Sequence, residues 1–276
     1  MDFLIEEKSF DIATMKFSHD METASAVFYI KSMESAGLLG NDSYMEATWE
    51  NIKKTASEIF QRFYEAVKKF FKEIKIKIDT AIQQQKVNKK LEELKDILAK
   101  KKSRILNKKY NYFDIKKYKM FYTDFINRYI AELKSGLNKN FKTVKEYENW
   151  KESMLNKLSD FNYKLSDEEQ WKLSISINSA VQLTEEEVKN RDKNLKMVEE
   201  SGTQAVKNLE KYYKKIDTEK SVVNFEKNQI KVFSMHNSFI GLVCSKIAQL
   251  MKTVANIITK HTFACITALI VILIAA

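Results

Sequence analysis

The stretch MEATWENIKKTASEIFQRFYEAVKKFFKEIKIKI, residues 45–78, decides the fold because its apolar residues recur at alternating steps of four and three. This spacing places an apolar stripe along an α-helix and is typical of helices packed lengthwise. The stripe comprises Met45, Trp49, Ile52, Ala56, Ile59, Phe63, Ala66 and Phe70. Neighbouring apolar residues widen it: Phe60, Val67, Phe71, Ile74 and Ile78. A stripe this wide indicates packing against several neighbours, as in a helical bundle.

Composition extends this interpretation to the whole chain. Its 276 residues include no proline and only five glycines, the two residues that end helices and build sharp turns. A second heptad series comprises Val188, Leu195, Val198, Gly202, Ala205, Leu209, Tyr212 and Ile216. Arg191 lies on that seam, where we expect it to fix register at some cost in stability. We predict an all-α fold: an elongated helical bundle with long heptad-patterned helices and an apolar C-terminal helix.

The helical patterns divide the chain into five segments. Residues 1–17 have no clear period and are interpreted as an N-terminal arm. Residues 18–109 are predicted to hold the N-terminal helices, including a long basic amphipathic helix, and 110–183 an aromatic-rich middle of short helices. Long helices are predicted over 184–261, and an apolar C-terminal membrane segment over 262–276.

Local signals refine these boundaries. Helix starts are predicted at capping boxes, in which a hydroxyl and a carboxylate satisfy backbone groups of the first turn. The matches are Ser43 with Glu46, Thr143 with Glu146, Ser166 with Glu169, and Thr184 with Glu187. Aromatic residues between 110 and 129 follow a helical pattern, and the last helix is expected to run unbroken from about Ser221. Leu173, Ile175 and Ile177 instead alternate with polar residues, which predicts a half-buried strand of unknown partner.

The strongest functional signal is the C-terminal segment, because its fifteen residues from Thr262 to Ala276 carry no charge. As a helix it would be about 22 Å long, against roughly 30 Å of hydrocarbon in a bilayer. Lys246, Lys252 and Lys260 precede it, so the positive-inside bias predicts that the bulk of the chain is cytoplasmic. The residues expected to insert are Phe263, Ile266, Leu269, Ile270, Val271, Ile272, Leu273 and Ile274. The alternatives are a core helix of an assembly and a processed segment.

Positive charge is concentrated in one part of the chain. Residues 1–43 carry a net charge of −5 and residues 44–109 one of +9, and the N-terminus has no signal-peptide pattern. The residues expected to contact an anionic surface are Lys68, Lys69, Lys72, Lys75, Lys77, Lys100, Lys101, Lys102, Arg104, Lys108 and Lys109. The first five share a helix with an aromatic face, which fits either an interfacial helix or a bundle helix with a solvated basic face. The basic run 100–109 fits anionic lipid, with nucleic acid as a less favoured partner.

No catalytic, cofactor-binding or metal-binding residue is predicted. His19, His236 and His261 are far apart in sequence and match no metal-ligand spacing, and no nucleotide-binding or hydrolase motif is present. Cys244 and Cys265 are interpreted as small buried hydrophobic residues. The chain is therefore expected to be non-enzymatic.

These patterns favour a membrane-associated structural or membrane-remodelling protein, anchored by its apolar helix and bound to anionic lipid. The heptad seams predict a homo-oligomer. Two alternatives stay open. One is an internal or structural virion protein of a phage that contacts DNA or the host membrane. The other is a pore-forming or holin-like protein, which requires a state that hides the apolar segment within the bundle.

Overall fold

Helices account for nearly all the regular structure in the described part of the chain, which confirms the all-α prediction. The computed structural model describes residues 2–35, 45–84, 107–139, 141–218 and 227–275, together with the separate positions 89, 92, 95, 96 and 99. The helices are α1 (Asp2–Ser35), α2 (Met45–Gln84), α3 (Ile115–Leu137), α4 (Val144–Ser166), α5 (Ile177–Thr218) and α6 (Lys227–Ala275). A 3₁₀ turn (Glu168–Trp171) and two strands, β1 (Lys109–Phe113) and β2 (Lys172–Ser176), complete the described elements.

The chain forms two compact units, each drawn from several of these helices. The first unit comprises Met1–Phe70, Ile126–Phe161 and Ser201–Leu250. The second unit comprises Phe71–Phe125, Asn162–Glu200 and Met251–Ala276. Helix α6 therefore contributes residues to both cores.

The heptad seam of α2 forms part of the core of the first unit. Wherever the side chains of its seam are described, they are buried or half-buried, which confirms the prediction from residues 45–78. Phe70 stacks on Phe10 of α1 with ring centroids 4.3 Å apart, and Phe63 packs on Phe17 at 4.5 Å. Aromatic pairs of this kind stabilise a core beyond the apolar area that they bury.

The interpretation of residues 1–17 as an arm is wrong, because α1 begins at Asp2 and runs unbroken to Ser35. Thr14 is a polar residue within the buried stripe of this helix. Its hydroxyl donates a 2.8 Å hydrogen bond to the carbonyl of Phe10, one turn earlier in the same helix. Ile12 and Met15 are 64% and 68% exposed on the other side of the helix. A polar residue inside and apolar residues outside together removed the periodicity that a helix prediction needs.

The predicted strand is confirmed, and its partner is a segment that the aromatic pattern had assigned to a helix. β2 pairs antiparallel with β1, with Leu173 opposite Tyr112. The helical prediction for residues 110–113 is therefore wrong. Ile177 is also not part of the strand but the first residue of α5, and Leu173 is 44% exposed rather than buried.

The capping predictions have mixed outcomes. The cap at Thr143 is confirmed, since the amide of Glu146 donates to the Thr143 hydroxyl at 3.1 Å where α4 begins, although the Glu146 carboxylate accepts from the amide of Lys142 at 3.1 Å instead of that of Thr143. The box at Ser166 is wrong, because Asp167 caps the 3₁₀ turn instead. The box at Thr184 is also wrong, because that residue lies inside α5 and its hydroxyl donates to the carbonyl of Ala180 at 2.7 Å. Ser43 lies outside the described residues.

The long C-terminal helices agree with their patterns. On α5, the described seam residues from Val188 to Leu209 are buried except for Arg191. The guanidinium of Arg191 binds the carboxylate of Asp79 on α2 at 2.7 Å, which keeps a charge on the seam. The prediction of one unbroken last helix is confirmed from Lys227 to Ala275, and its buried stripe comprises Ile240, Cys244, Ile247, Met251, Val254 and Ile258.

Gly241 allows a close approach between α1 and α6 in the first unit. A Cβ at this position would lie 2.5 Å from the Cβ of Met21, which is fully buried. We expect Gly241→Ala to lower the free energy of unfolding by about 1–3 kcal/mol, because the overpacked helices must separate. Urea denaturation followed by circular dichroism measures the change. Lys231→Ala, at an exposed position of the same helix, is the control and should change stability by less than about 0.5 kcal/mol. A Gly241→Ala variant of wild-type or higher stability would contradict this packing.

Candidate membrane-contact site

Helix α6 carries the one segment in the described part of the chain that is long and apolar enough to cross a membrane, Ser234–Ile272. Its last charged residue is Lys260, and His261 follows it directly. We call the part from Thr262 to Ala275 the tail. Thr259 and Thr262, at its start, donate hydroxyl hydrogen bonds of 2.8 Å to the carbonyls of Ala255 and Ile258 in their own helix.

Among the described side chains of the tail, those on one side are packed in the second unit. Cys265, Ile266 and Leu269 are 5%, 0% and 1% exposed, which places them in the core of this unit. The other side faces solvent, and Val271 there is 59% exposed. Of the remaining predicted insertion residues, Ile270 and Ile272 are half-buried, and the side chains of Phe263, Leu273 and Ile274 lie outside the described ones.

A small group of side chains holds the start of the tail. We call it the clasp and define it as Phe113, Glu168, Lys260 and His261. One carboxylate oxygen of Glu168 accepts a hydrogen bond from Nζ of Lys260 at 2.6 Å, and the other lies 3.2 Å from Nε2 of His261. The His261 ring stacks on Phe113 with centroids 3.7 Å apart and planes inclined by 5°.

The elements that present the clasp are fixed by their own packing. Asp114, next to Phe113, donates a backbone hydrogen bond of 2.8 Å to the carbonyl of Trp171, which ties β1 to the 3₁₀ turn that carries Glu168. The indole of Trp171 packs edge-on against the buried ring of Tyr118 at 5.3 Å. The residues that hold the start of the tail are therefore themselves held by a backbone hydrogen bond and by aromatic packing.

Further along, β1 follows the tail in the opposite direction. The hydroxyl of Tyr110 donates to Sγ of Cys265 at 3.9 Å, three residues before Phe113 on the strand and four residues beyond His261 on the helix. Lys108 and Lys109, both exposed, precede Tyr110 at this end of the two-stranded ribbon that β1 forms with β2. Two predicted features, the end of the basic run and the apolar segment, therefore belong to one site.

The other predicted cations occupy different surroundings. Lys68, Lys69 and Lys72 are exposed on α2, whose apolar side is buried at Val67 and Phe71. Lys75 pairs with Asp192 at 3.2 Å, and Lys77 is half-buried. Lys68, Lys69 and Lys72 thus lie on the exposed side of a helix whose apolar side is already packed. Lys100, Lys101, Lys102 and Arg104 lie outside the described residues.

Burial also limits what the aromatic segment can do. Tyr112, Phe113, Tyr118, Tyr122 and Tyr129 are at most 3% exposed. Rings buried in this way cannot stack on nucleic-acid bases without unfolding, so the basic run lacks aromatic partners for that role among these residues.

No group suited to bind a metal occurs among the described residues. His236 is buried among aromatic rings, with Tyr147 4.7 Å and Phe141 6.0 Å away between centroids. Cys244 and Cys265 are free and buried, as the sequence predicted.

No protein-family model, curated protein or solved structure matches this chain. The site must therefore be interpreted from its own chemistry. Sequence reasoning did not single out Glu168 or Phe113, and no local signal could have revealed Glu168, because its partner Lys260 is 92 residues away.

The Glu168 carboxylate makes the clasp sensitive to acid. Its pKa is lowered below the usual 4.5, first by the hydrogen bond from Lys260 and further by the neighbouring charge of His261. A lowered folded-state pKa contributes stability that is present above the unfolded value and is lost as the pH falls through the folded one.

We therefore expect the stability of the wild type to fall, as the pH drops below 4.5, by about 0.5–1 kcal/mol more than that of Glu168→Gln. Thermal unfolding across this range measures the difference. Glu169→Gln, which removes the exposed partner of Lys172, is the matched control and should keep the extra fall. If the stabilities of the wild type and of Glu168→Gln fell equally over this range, the pair of Glu168 and Lys260 would contribute nothing to stability.

Proposed function

We propose that this chain is a non-enzymatic, membrane-associated helical-bundle protein whose membrane element is α6, with a structural or membrane-remodelling role. The observation that carries the proposal is the 39-residue apolar segment Ser234–Ile272 within one unbroken helix. Burial in the bundle alone would not require the apolar character to continue onto the exposed side of the tail, where Val271 lies.

The charges around the tail support an anionic lipid surface as the partner. Lys260 and His261 directly precede it, and Lys108 and Lys109 lie at the start of β1, the strand beside it. Lysines in this position can bind headgroups while the apolar residues enter the hydrocarbon. Because Lys246, Lys252 and Lys260 precede the tail, we propose that the bulk of the chain lies on the cytoplasmic side.

Self-association is also proposed, but through surfaces other than the heptad seams. The described seam residues of α2 and α5 are largely buried within their own chain, where Phe63 and Phe70 pack on α1. An oligomer that used these seams would have to open the bundle first.

A single charge in the tail tests the proposal without disturbing the core. Val271→Asp changes an exposed side chain, so the folded bundle should keep its stability, whereas an aspartate in hydrocarbon costs up to about 2.5–3.5 kcal/mol. We expect the wild type and Val271→Ala to float with phosphatidylglycerol vesicles in a density gradient and Val271→Asp to bind at least tenfold less.

Truncation of the tail is a weaker test, because it would also remove Cys265, Ile266 and Leu269 from the core. Thermal unfolding of Val271→Asp controls for misfolding. Equal flotation of the two variants would mean that the tail does not enter the bilayer, and absence of flotation for the wild type would remove the membrane role altogether.

A second candidate, the pore-forming or holin-like protein, is favoured by one specific observation. Such a protein must hide its apolar helix before insertion, and the tail is packed along one side in the second unit. The folded chain would then be the closed state of a protein that opens at a membrane.

Vesicle leakage separates this candidate from passive anchoring. A pore-forming protein should release a trapped dye from phosphatidylglycerol vesicles at protein concentrations that give flotation, and Val271→Asp should not. Release that depends steeply on protein concentration would indicate assembly in the membrane. Flotation of the wild type without any release would exclude the pore and retain the anchor.

A further inference from the structure

The clasp lies where the charged part of α6 ends. Lys260 and His261 are followed by the uncharged tail, and both are held by the same carboxylate. Glu168 is carried by the 3₁₀ turn and Phe113 by β1, so the two residues come from outside α6. The ion pair and the ring stack therefore fix the tail at its first turn.

The clasp is open to solvent on its charged side. The side chains of Lys260 and Glu168 are 60% and 35% exposed, whereas that of His261 is only 12% exposed. From β2, the charge of Lys172 acts on His261, and its ammonium group pairs with Glu169. From α3, the buried Tyr118 is near enough to Glu168 for the carboxylate to raise the pKa of its hydroxyl, after the larger effect of burial. The accessible carboxylate of Glu168 thus pairs with one cation, Lys260, and lies beside the imidazole of His261, which is charged only when protonated.

We propose that this cluster is a binding site for the phosphate of an anionic lipid headgroup, which displaces Glu168 from Lys260 and His261 and so releases the tail. The inference rests on the proposed membrane function and adds the event that releases the tail for insertion. The phosphodiester of such a headgroup carries its negative charge on two non-bridging oxygens, so it can accept from both donors as the carboxylate does, and an anionic surface presents many such groups close together. No covalent bond is made or broken in the exchange.

This exchange explains how an anionic surface could release the tail, which stays bound to the clasp in water. When a phosphate attracts His261, the imidazole leaves the ring of Phe113, while β1 keeps two weak hydrogen bonds to the Cys265 thiol, one from the Tyr110 hydroxyl and one from the Phe113 backbone. Anionic lipid then binds the two residues that must lie at the interface when the tail inserts. Glu168 acts as the positioning residue of the closed state.

The first test is made in solution and needs no membrane. In a Cys244→Ala background the remaining thiol is Cys265, 5% exposed against the ribbon, so its reaction with a maleimide reports release of the tail. We expect Glu168→Gln to raise the labelling rate about fivefold or more, because a charge-assisted hydrogen bond is lost. Glu169→Gln is the matched control and should label at the wild-type rate.

Global unfolding is excluded by the converse background. In Cys265→Ala the remaining thiol is Cys244, fully buried in the first unit, and its labelling should stay slow in every variant. Equal labelling of Cys265 in Glu168→Gln and in the wild type would overturn the role of Glu168. Soluble inorganic phosphate or glycerophosphoglycerol, at constant ionic strength set with sodium chloride, should accelerate labelling of the wild type, and no effect of either would overturn the exchange.

Flotation then tests lipid as the source of the phosphate. The wild type and Glu169→Gln should float with phosphatidylglycerol vesicles and not with phosphatidylcholine vesicles. Glu168→Gln, already released, should also float with the neutral vesicles. If Glu168→Gln still requires anionic lipid, release is not the step that lipid controls and the inference fails while the membrane function stands. If no variant floats on any vesicle, both fail, even where labelling in solution responds to phosphate.

Discussion

The burial of one side of α6 is the interaction on which the rest of the structure depends. In the first unit Phe239, Ile240 and Val243 are at most 2% exposed, and in the second unit Met251, Val254 and Ile258 are equally buried. Each such side chain contributes roughly 1.5–3 kcal/mol relative to an exposed one. α6 contributes such side chains to both units, so neither unit could keep its described core if α6 were withdrawn entirely. A membrane role must therefore leave most of this helix in place and use its far end.

The clasp lies between the part of α6 that the core requires and the far end that a membrane role would use. Before Lys260 the helix is held by aliphatic packing, while beyond His261 it has a packed side and an exposed apolar side. Charge pairing at this boundary gives a local contact that can be exchanged without opening the aromatic cluster around Phe10, Phe17 and Phe70. Ionic contacts suit such a boundary because water and lipid headgroups can both replace them, whereas neither can replace core packing.

Much of the fold was predictable because it depends on local periodicity. The seam of α2, the unbroken α6 and the strand at Leu173 could all be inferred from spacing. Predictions failed where a tertiary partner or a self-satisfied hydroxyl decides the structure. Tyr112 and Phe113 have helical spacing but pair with β2, and Thr184 resembles a cap although its hydroxyl bonds within α5. The candidate site was predicted only in part, because the tail is visible in the sequence whereas Glu168 meets Lys260 across 92 residues.

The hydroxyls of Thr259 and Thr262 bring a different property to α6. Each donates to a carbonyl one turn earlier in its own helix, so neither depends on a partner from the surrounding bundle. These hydrogen bonds would be kept if the helix moved from protein into hydrocarbon, so neither hydroxyl would be left unsatisfied there. The backbone and hydroxyl groups at the start of the tail are thus hydrogen-bonded in either environment, so their transfer into hydrocarbon would cost little free energy.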